Sequence, residues 1–586
     1  MLNLREYRRT SKLLADHLPW AALVAPGIVL NKDGSFQRTL RFRGPDLESA
    51  TEAELVATCA RLNNVFRRLG SGWALFIEAE RFAAPGYPAS NFPDPVSWLV
   101  DEERRAAFEP DVAIAGASAK GATIKDHHES AYHLTLLFMP PADRFSHAEK
   151  ALLERPAGER EMAAKDYLAA FVAETDRMLD LLSNLMPEIR ALDDAETLTY
   201  LHGTVSTRRH PVAVPETPMY LDAILADDPL AGGLAPMLGE QHLRTLTVQG
   251  FPNLTRPGLL DDLNRLDFPY RWVTRFIPLD KLHATYLLSK LRRQWFAKRK
   301  SILAILREVM FNEPASLIDS DADNKAADAD AALQELGGDD VAFGYLTTTV
   351  TVRDEDAVRA NEKLRAVERV INGSGFTTIR ESVNAVEAWL GSLPGHVYAN
   401  VRQPLVHTLN LAHLMPLSAV WAGPTRNEYL NGPPLLVAAT QGTPFRLSTH
   451  VGDVGHMFIV GPTGAGKSVL LALMALQFRR YEGAQVYIFD KGFSARAAVI
   501  AMGGDHYALG AQGSLAFQPL AHIDDPASRS WAAEWIQGLL LHERVAVSPE
   551  IKELVWSALS NLAKAPEGER TLTGLAVLIQ SNALVA

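Results

Sequence analysis

The clearest chemistry in this chain sits in eight residues, GPTGAGKS at 461–468, which fit the spacing G-x-x-x-x-G-K-S in full. Gly461, Gly464 and Gly466 allow the backbone to close around a phosphate, so that the N–H groups of the loop, Pro462 lacking one, converge as an anion nest across Thr463 and Ala465. MFIV at 457–460 reads as a short apolar strand before the loop, and VLLALMALQF follows it as an apolar helix whose N-terminus adds a positive dipole end. Lys467 can reach the β and γ phosphates of a nucleoside triphosphate, and Ser468 can ligate Mg²⁺. A loop of this kind also needs an acid to hold the metal. AQVYIFDKG at 484–492 offers a strand ending in Asp490, but Lys491 stands where motor ATPases carry a Glu. Asp490 is therefore a candidate metal-site acid that fits better at the edge of a neighbouring strand. HYALG and LAFQPL read as short strands. WAAEWIQGLLL, SPEIKELVWSALSNLAKA and TLTGLAVLIQSNALVA read as helices.

More than four hundred residues precede that loop, and a chain of 586 residues exceeds what one core usually holds. A net charge of −11 argues against general attraction to nucleic acid. The single cysteine, Cys59, permits neither an internal disulfide nor a cysteine zinc site. No run of ~18 apolar residues offers a membrane span, and the N-terminus lacks the apolar run of a signal peptide. These features point to a cytoplasmic protein that other components would hold at any membrane it serves. Other catalytic patterns are missing: His128-Glu129-Ser130-Ala131-Tyr132-His133 is one residue too long for a zinc helix, and there is no G-x-S-x-G elbow.

Residues 18–44 read as paired strands with a turn at NKDG. A helix capped at Ser49 or Thr51 then ends at Gly70-Ser71-Gly72, and WALFIEAE follows as a strand. The same order recurs as YLTTTVTV, DEDAVRANEKLRAVERVIN, Gly373-Ser374-Gly375 and FTTIRES, which suggests two α+β modules, at about 18–150 and 340–390. Between them, 161–186 and 282–310 read as long helices. KLRRQWFAKRK in the second carries six basic residues interleaved with Trp295 and Phe296. It is a candidate nucleic-acid patch, but a solvated helix face explains it more simply. IDSDADNKAADADAALQELGGDD, with eight acids, reads as a mobile acidic segment. Asp319, Asp321 and Asp323 begin a calcium-loop spacing, but Asn324 and Asp330 stand where that loop carries Gly and Glu. A Pro- and Gly-rich connector at 390–450 puts a boundary near Asn431.

Long stretches of the chain resemble the TrbE branch of the VirB-type family of type IV secretion ATPases. They include LLADHLPWAALVAPGIVLNKDGSFQRTLRFRGPDL, LNNVFRRLGSGWALFIEAER, HLMPLSAVWAGP, HVGDVGHMFIVGPTGAGKSVLLALMALQFRRY and AFQPLAHID. The resemblance implies an N-terminal α+β docking domain (1–430) followed by a RecA-like P-loop NTPase domain (431–586) that uses ATP and Mg²⁺. It implies assembly, often as a hexamer, at the inner face of the bacterial inner membrane. The partners would be inner-membrane secretion components, and ATP hydrolysis would drive pilus assembly or substrate transfer. Members of that family continue beyond the position of Ala586 with an Asp-Glu strand, so the NTPase domain is expected to be incomplete here. Two alternatives stay open: a DNA-translocating motor of the same fold, and a nucleotide-binding interaction module without turnover.

Overall fold

The computed structural model describes residues 13–47, 49–109, 127–139, 157–252, 255–298, 320–417, 420–440, 442–509 and 517–579. The chain divides into two compact units. Unit 1 takes the residues up to Phe92, Trp98–Val460 and Gln477–Ala484. Unit 2 takes Pro93–Ser97, Gly461–Leu476 and the residues from Gln485 onward.

Unit 1 is built on a 13-stranded sheet in which every pairing is antiparallel. Its strands are β1 (Trp20–Ala25), β2 (Ile28–Asn31), β3 (Phe36–Arg43), β4 (Trp73–Ala83), β5 (His128–Phe138), β6 (Glu188–Ala191), β7 (Leu230–Ala231), β8 (Met237–Leu238), β9 (Gln241–Gly250), β10 (Tyr270–Pro278), β11 (Phe343–Asp354), β12 (Thr377–Arg380) and β13 (Leu405–His407). The main path runs β1-β2-β3-β5-β4-β10-β11-β9-β8-β7. Strands from both expected α+β stretches thus lie in one sheet, with β4 and β11 flanking β10. LVAPGIVL is a hairpin of its own. Pro26-Gly27 turns between β1 and β2 with Gly27 at φ +66°, the left-handed value that favours glycine.

The sheet is covered on both faces, and strand alternation sorts the side chains between them. One face is apolar: Leu75, Ile77, Leu134, Leu136, Trp272, Phe276, Leu346 and Val350 are buried in the largest core. Helices α1 (Glu52–Phe66), α2 (Ala157–Ser183) and α6 (Ala357–Gly373) contribute Leu62, Phe66, Leu182, Leu364 and Val367 to the same core. At the head of α1, Thr51 accepts from the Glu54 N–H while Glu54 accepts from the Thr51 N–H, so Thr51 and not Ser49 is the cap. The second Gly-Ser-Gly stop holds, α6 ending at Gly373 with Gly375 at φ +88°, but α1 ends earlier, at Phe66, and Gly72 at φ +93° turns the chain into β4.

The opposite face carries buried polar groups beside a small apolar cluster of Ala74, Phe76, Leu137 and Val273. Glu78, His133, Thr135, Arg271, Arg275, Thr347, Thr349 and Thr351 are all buried there. Arg271 grips Glu78 with two nitrogens, and Tyr200 on α3 (Asp194–Val205) donates to the same carboxylate at 2.8 Å. Arg275 donates to the carbonyls of His396 and Ala399 and to Thr347 Oγ1. Its removal from water holds its pKa down to about 10.

Two expectations need correction. Residues 320–337 form a helix, α5 (Ser320–Gly337), where the sequence predicts a mobile acidic segment, and the calcium-loop spacing falls on that helix. It packs on α4 (Lys281–Lys298), burying Leu336 against Ala284 and Leu288. Lys281 pairs with Asp339, and Arg292 with Asp330 at 2.9 Å, so the two helices run antiparallel and opposite charge along them holds the acidic sequence helical. Asp319, residues 299–310 and part of KLRRQWFAKRK lie outside the described residues, as do the side chains of Trp295 and Phe296.

The second correction concerns the segments flanking residues 461–468. Neither 457–460 nor 484–490 is a strand, and Phe458 and Phe489 are 91% and 99% exposed. The segments HYALG and LAFQPL are not strands over their described parts either, residues 510–516 lying outside them. A strand exists only through the neighbour that takes its N–H and C=O groups. Among the described residues no segment pairs with these.

Unit 2 keeps its expected helices. α9 (Pro526–His542), α10 (Pro549–Leu562) and α11 (Leu572–Leu578) enclose Leu520, Ile523, Ile536, Val555, Leu559 and Leu575. Asp525 and Ser548 cap α9 and α10, each followed by a proline at the first helical position, and Thr571 caps α11. The last seven residues of TLTGLAVLIQSNALVA lie outside the described residues.

Candidate nucleotide-binding loop and family

The loop at 461–468 ends in helix α7 (Lys467–Phe478). Gly464 and Gly466 have φ +83° and +85°, a region that side-chain-bearing residues rarely enter. A Cβ added at either would meet nothing within 4 Å, so backbone conformation and not crowding demands glycine there. Gly466 O accepts from Leu470 N at 2.9 Å, opening the helix. Lys467 turns back over the loop, where its Nζ donates to the carbonyls of Gly461 and Pro462, both at 2.7 Å. The residues 461–468 are thus a glycine-shaped turn with a lysine ammonium held above it at a helix N-terminus, and that arrangement suits a phosphate group. Ser468 is the second residue of the helix, beside Lys467.

Asp490 has a different setting. It is exposed, and its carboxylate accepts from Gly492 N, Ser494 Oγ and Ala495 N. The Ala495 and Gly492 amides hold its pKa below the usual carboxylate range. It shapes the turn leading into α8 (Arg496–Ala501). Exposure in α7 is confined to Ser468, Val469, Leu470 and Leu471, while Ala475 and Gln477 are buried. Tested against its fold, HESAYH is strand β5 and not a zinc helix, and Glu129 is paired with Arg446 at 2.9 Å.

Residues 27–145 match the profile of the type IV secretion system ATPase VirB4/TrbE N-terminal domain. Residues 181–402 match that of the CagE, TrbE, VirB family, a component of type IV transporter systems. The chain is 35% identical over 583 residues to "Conjugal transfer protein TrbE" of Rhizobium radiobacter, covering 95% of this chain and 69% of that protein. The chain belongs to the VirB4/TrbE family of type IV secretion ATPases. Within that family, a probable conjugal transfer protein TrbE of Sinorhizobium fredii is 39% identical, over 63% of this chain and 57% of its own length. "Type IV secretion system protein virB4" of Bartonella quintana is 22% identical, over 66% of this chain and 47% of its own length. Membership makes this VirB4/TrbE chain a subunit of a conjugal-transfer or type IV secretion ATPase. Neither family profile reaches residues 461–468, so the reading of that loop rests on its own residues. No helix among the described residues is long and apolar enough to cross a membrane.

The polar face of the sheet is what sequence reasoning missed. Glu78 and Arg271 lie 193 positions apart, and nothing local links them. The signal that was available is alternation: YRWVTRFIP puts Arg271 and Arg275 on one side of a strand whose other side is Trp272 and Phe276.

Proposed function

We propose that this chain binds ATP through Gly461, Pro462, Thr463, Gly464, Ala465, Gly466, Lys467 and Ser468, and that the assembled secretion ATPase hydrolyses it to drive pilus assembly or substrate transfer. The observation that carries this reading is the loop itself: two left-handed glycines and a lysine folded over them at the head of a helix. The loop amides and Lys467 would bind the phosphates, and Ser468 would hold Mg²⁺, which when bound neutralises charge on the phosphates. Asp490, with both carboxylate oxygens engaged in the following turn, is assigned to shaping that turn. In this reading residues 1–430 dock on inner-membrane secretion components, and residues 431–586 belong to a RecA-like motor that works as a hexamer at the inner face of the membrane.

Two measurements test it. Titration with a fluorescent ATP analogue should show Mg²⁺-dependent binding that Lys467→Ala removes, and the same substitution should abolish conjugal transfer in a complementation assay. Normal transfer by Lys467→Ala would sink the reading. Binding without turnover is the second reading, favoured by the absence of any strand among the described residues of unit 2. Phosphate release, measured beside the Rhizobium radiobacter relative, separates the two: release by the relative alone would support the binding-only reading.

A further inference from the structure

At one end of the polar face of the unit 1 sheet lies a cavity of about 440 Å³. Seven cationic residues line it against three carboxylates, Glu80, Asp354 and Glu355. Two of those acids are already paired. Glu80 meets Arg209 at 3.0 Å, and Asp354 meets Arg359 at 3.0 Å and Lys363 at 2.9 Å. The buried Asp228 nearby is also committed, accepting from Thr207 N and Thr207 Oγ1 at 2.6 and 2.7 Å.

Of the other cations, Arg271 is paired with Glu78, whereas Arg353 and Arg208 have no such relief. Arg353 makes one side-chain hydrogen bond, to the Ser206 carbonyl at 2.6 Å, and no ion pair among the described residues. Arg208 is exposed and makes no ion pair among them either. Arg271 engages Glu78 through Nε and one terminal nitrogen, while its other terminal nitrogen, Nη1, is buried without a partner. Burial and the neighbouring Arg271 hold the Arg353 pKa down to about 10. Arg209 is braced over the Phe82 ring at 3.8 Å. Arg353 and Arg208 thus bring guanidinium charge to the cavity without an ion-pair partner among the described residues, and each keeps planar donors suited to phosphate oxygens. The volume falls within the ~300–1,000 Å³ typical of small-ligand sites.

We propose that this cavity is a second anion site, built from residues other than the phosphate loop, that takes a phosphoryl or pyrophosphoryl group. The group could belong to a soluble phosphorylated small molecule or to a lipid headgroup. Arg353, Arg208 and Arg271 would be its cationic contacts.

The test is calorimetric titration of the full chain with inorganic pyrophosphate in the absence of Mg²⁺. A Lys467→Ala background silences the loop, so failure here and failure of the ATP reading are separate results. One site is expected, weakening as salt is raised. Arg353→Gln should lower its affinity by about tenfold or more, and Arg208→Gln by severalfold, in line with one lost charge-assisted contact at each. Arg208 is exposed, so its substitution leaves the fold intact and keeps the test decisive should Arg353→Gln fail to fold. Flotation with phosphatidylglycerol vesicles against phosphatidylcholine vesicles distinguishes the sources: Arg208-dependent recruitment assigns a headgroup, and pyrophosphate binding without recruitment assigns a soluble ligand. No binding in the Lys467→Ala background, or binding unchanged by both arginine substitutions, would overturn the proposal.

Discussion

Arg271 on β10 reaches diagonally to Glu78 on β4, joined by two hydrogen bonds of 2.6 and 2.9 Å, with only 5% and 1% of their side chains exposed. Such a pair is costly to break from one side, because the surviving charge stays buried. Glu78→Ala should therefore destabilise unit 1 by about 3–5 kcal/mol. Replacing both residues, Glu78→Leu with Arg271→Met, should recover most of that loss. Thermal melts of the full chain check this, and a single-variant loss under about 1 kcal/mol would mean that the pair contributes little.

Two buried histidines should make stability depend on pH. Burial pushes the pKa of His133 from 6.5 down to about 4, although Glu78 pulls the other way, and burial likewise brings His407 to about 4. Both are neutral in the folded chain at pH values where the unfolded chain binds a proton. The contribution is therefore present in full above about 6.5 and lost as pH falls toward about 4. For His133 the loss should be on the order of 1–3 kcal/mol. Melts at pH 7 and pH 4.5 should diverge less for His133→Gln than for the unaltered chain. An equal divergence would rule out this residue as a source.

Gly464 tests the shape of the nucleotide loop apart from its charge. Alanine there meets no neighbour but must adopt φ +83°. That strain, roughly 1 kcal/mol, is relieved if the loop opens. Gly464→Ala should leave the melting temperature unchanged and weaken binding of a fluorescent ATP analogue about fivefold. Unchanged affinity would show that the left-handed glycine is not part of the cradle.

The basic stretch on α4 should not behave as a nucleic-acid site. Arg292 is already paired with Asp330, and the acidic α5 runs alongside. Arg292→Gln combined with Arg293→Gln should leave retention of single-stranded DNA on filters unchanged. Tight, steeply salt-dependent binding that these substitutions remove would instead favour a DNA-translocating motor.

Local signals determined much of this protein. The loop at 461–468 is contiguous, so the need for a turn at Gly464 and Gly466 was legible from spacing alone, and both take positive φ. The helices of unit 2 announce themselves through Asp525-Pro526 and Ser548-Pro549, because caps and first-turn prolines act within one turn. Gly375 follows the end of α6 for an equally local reason, its positive φ. Tertiary structure decided what depends on partners distant in sequence. Arg271 meets Glu78, and β10 joins β4 to β11, only because the chain returns to the same sheet after long excursions. The same dependence on partners corrected the strands expected at 457–460 and 484–490: an apolar segment becomes a strand only when another takes its hydrogen bonds. It also turned the acidic stretch at 320–337 into a helix, since the opposing charge and the apolar stripe that hold it belong to α4.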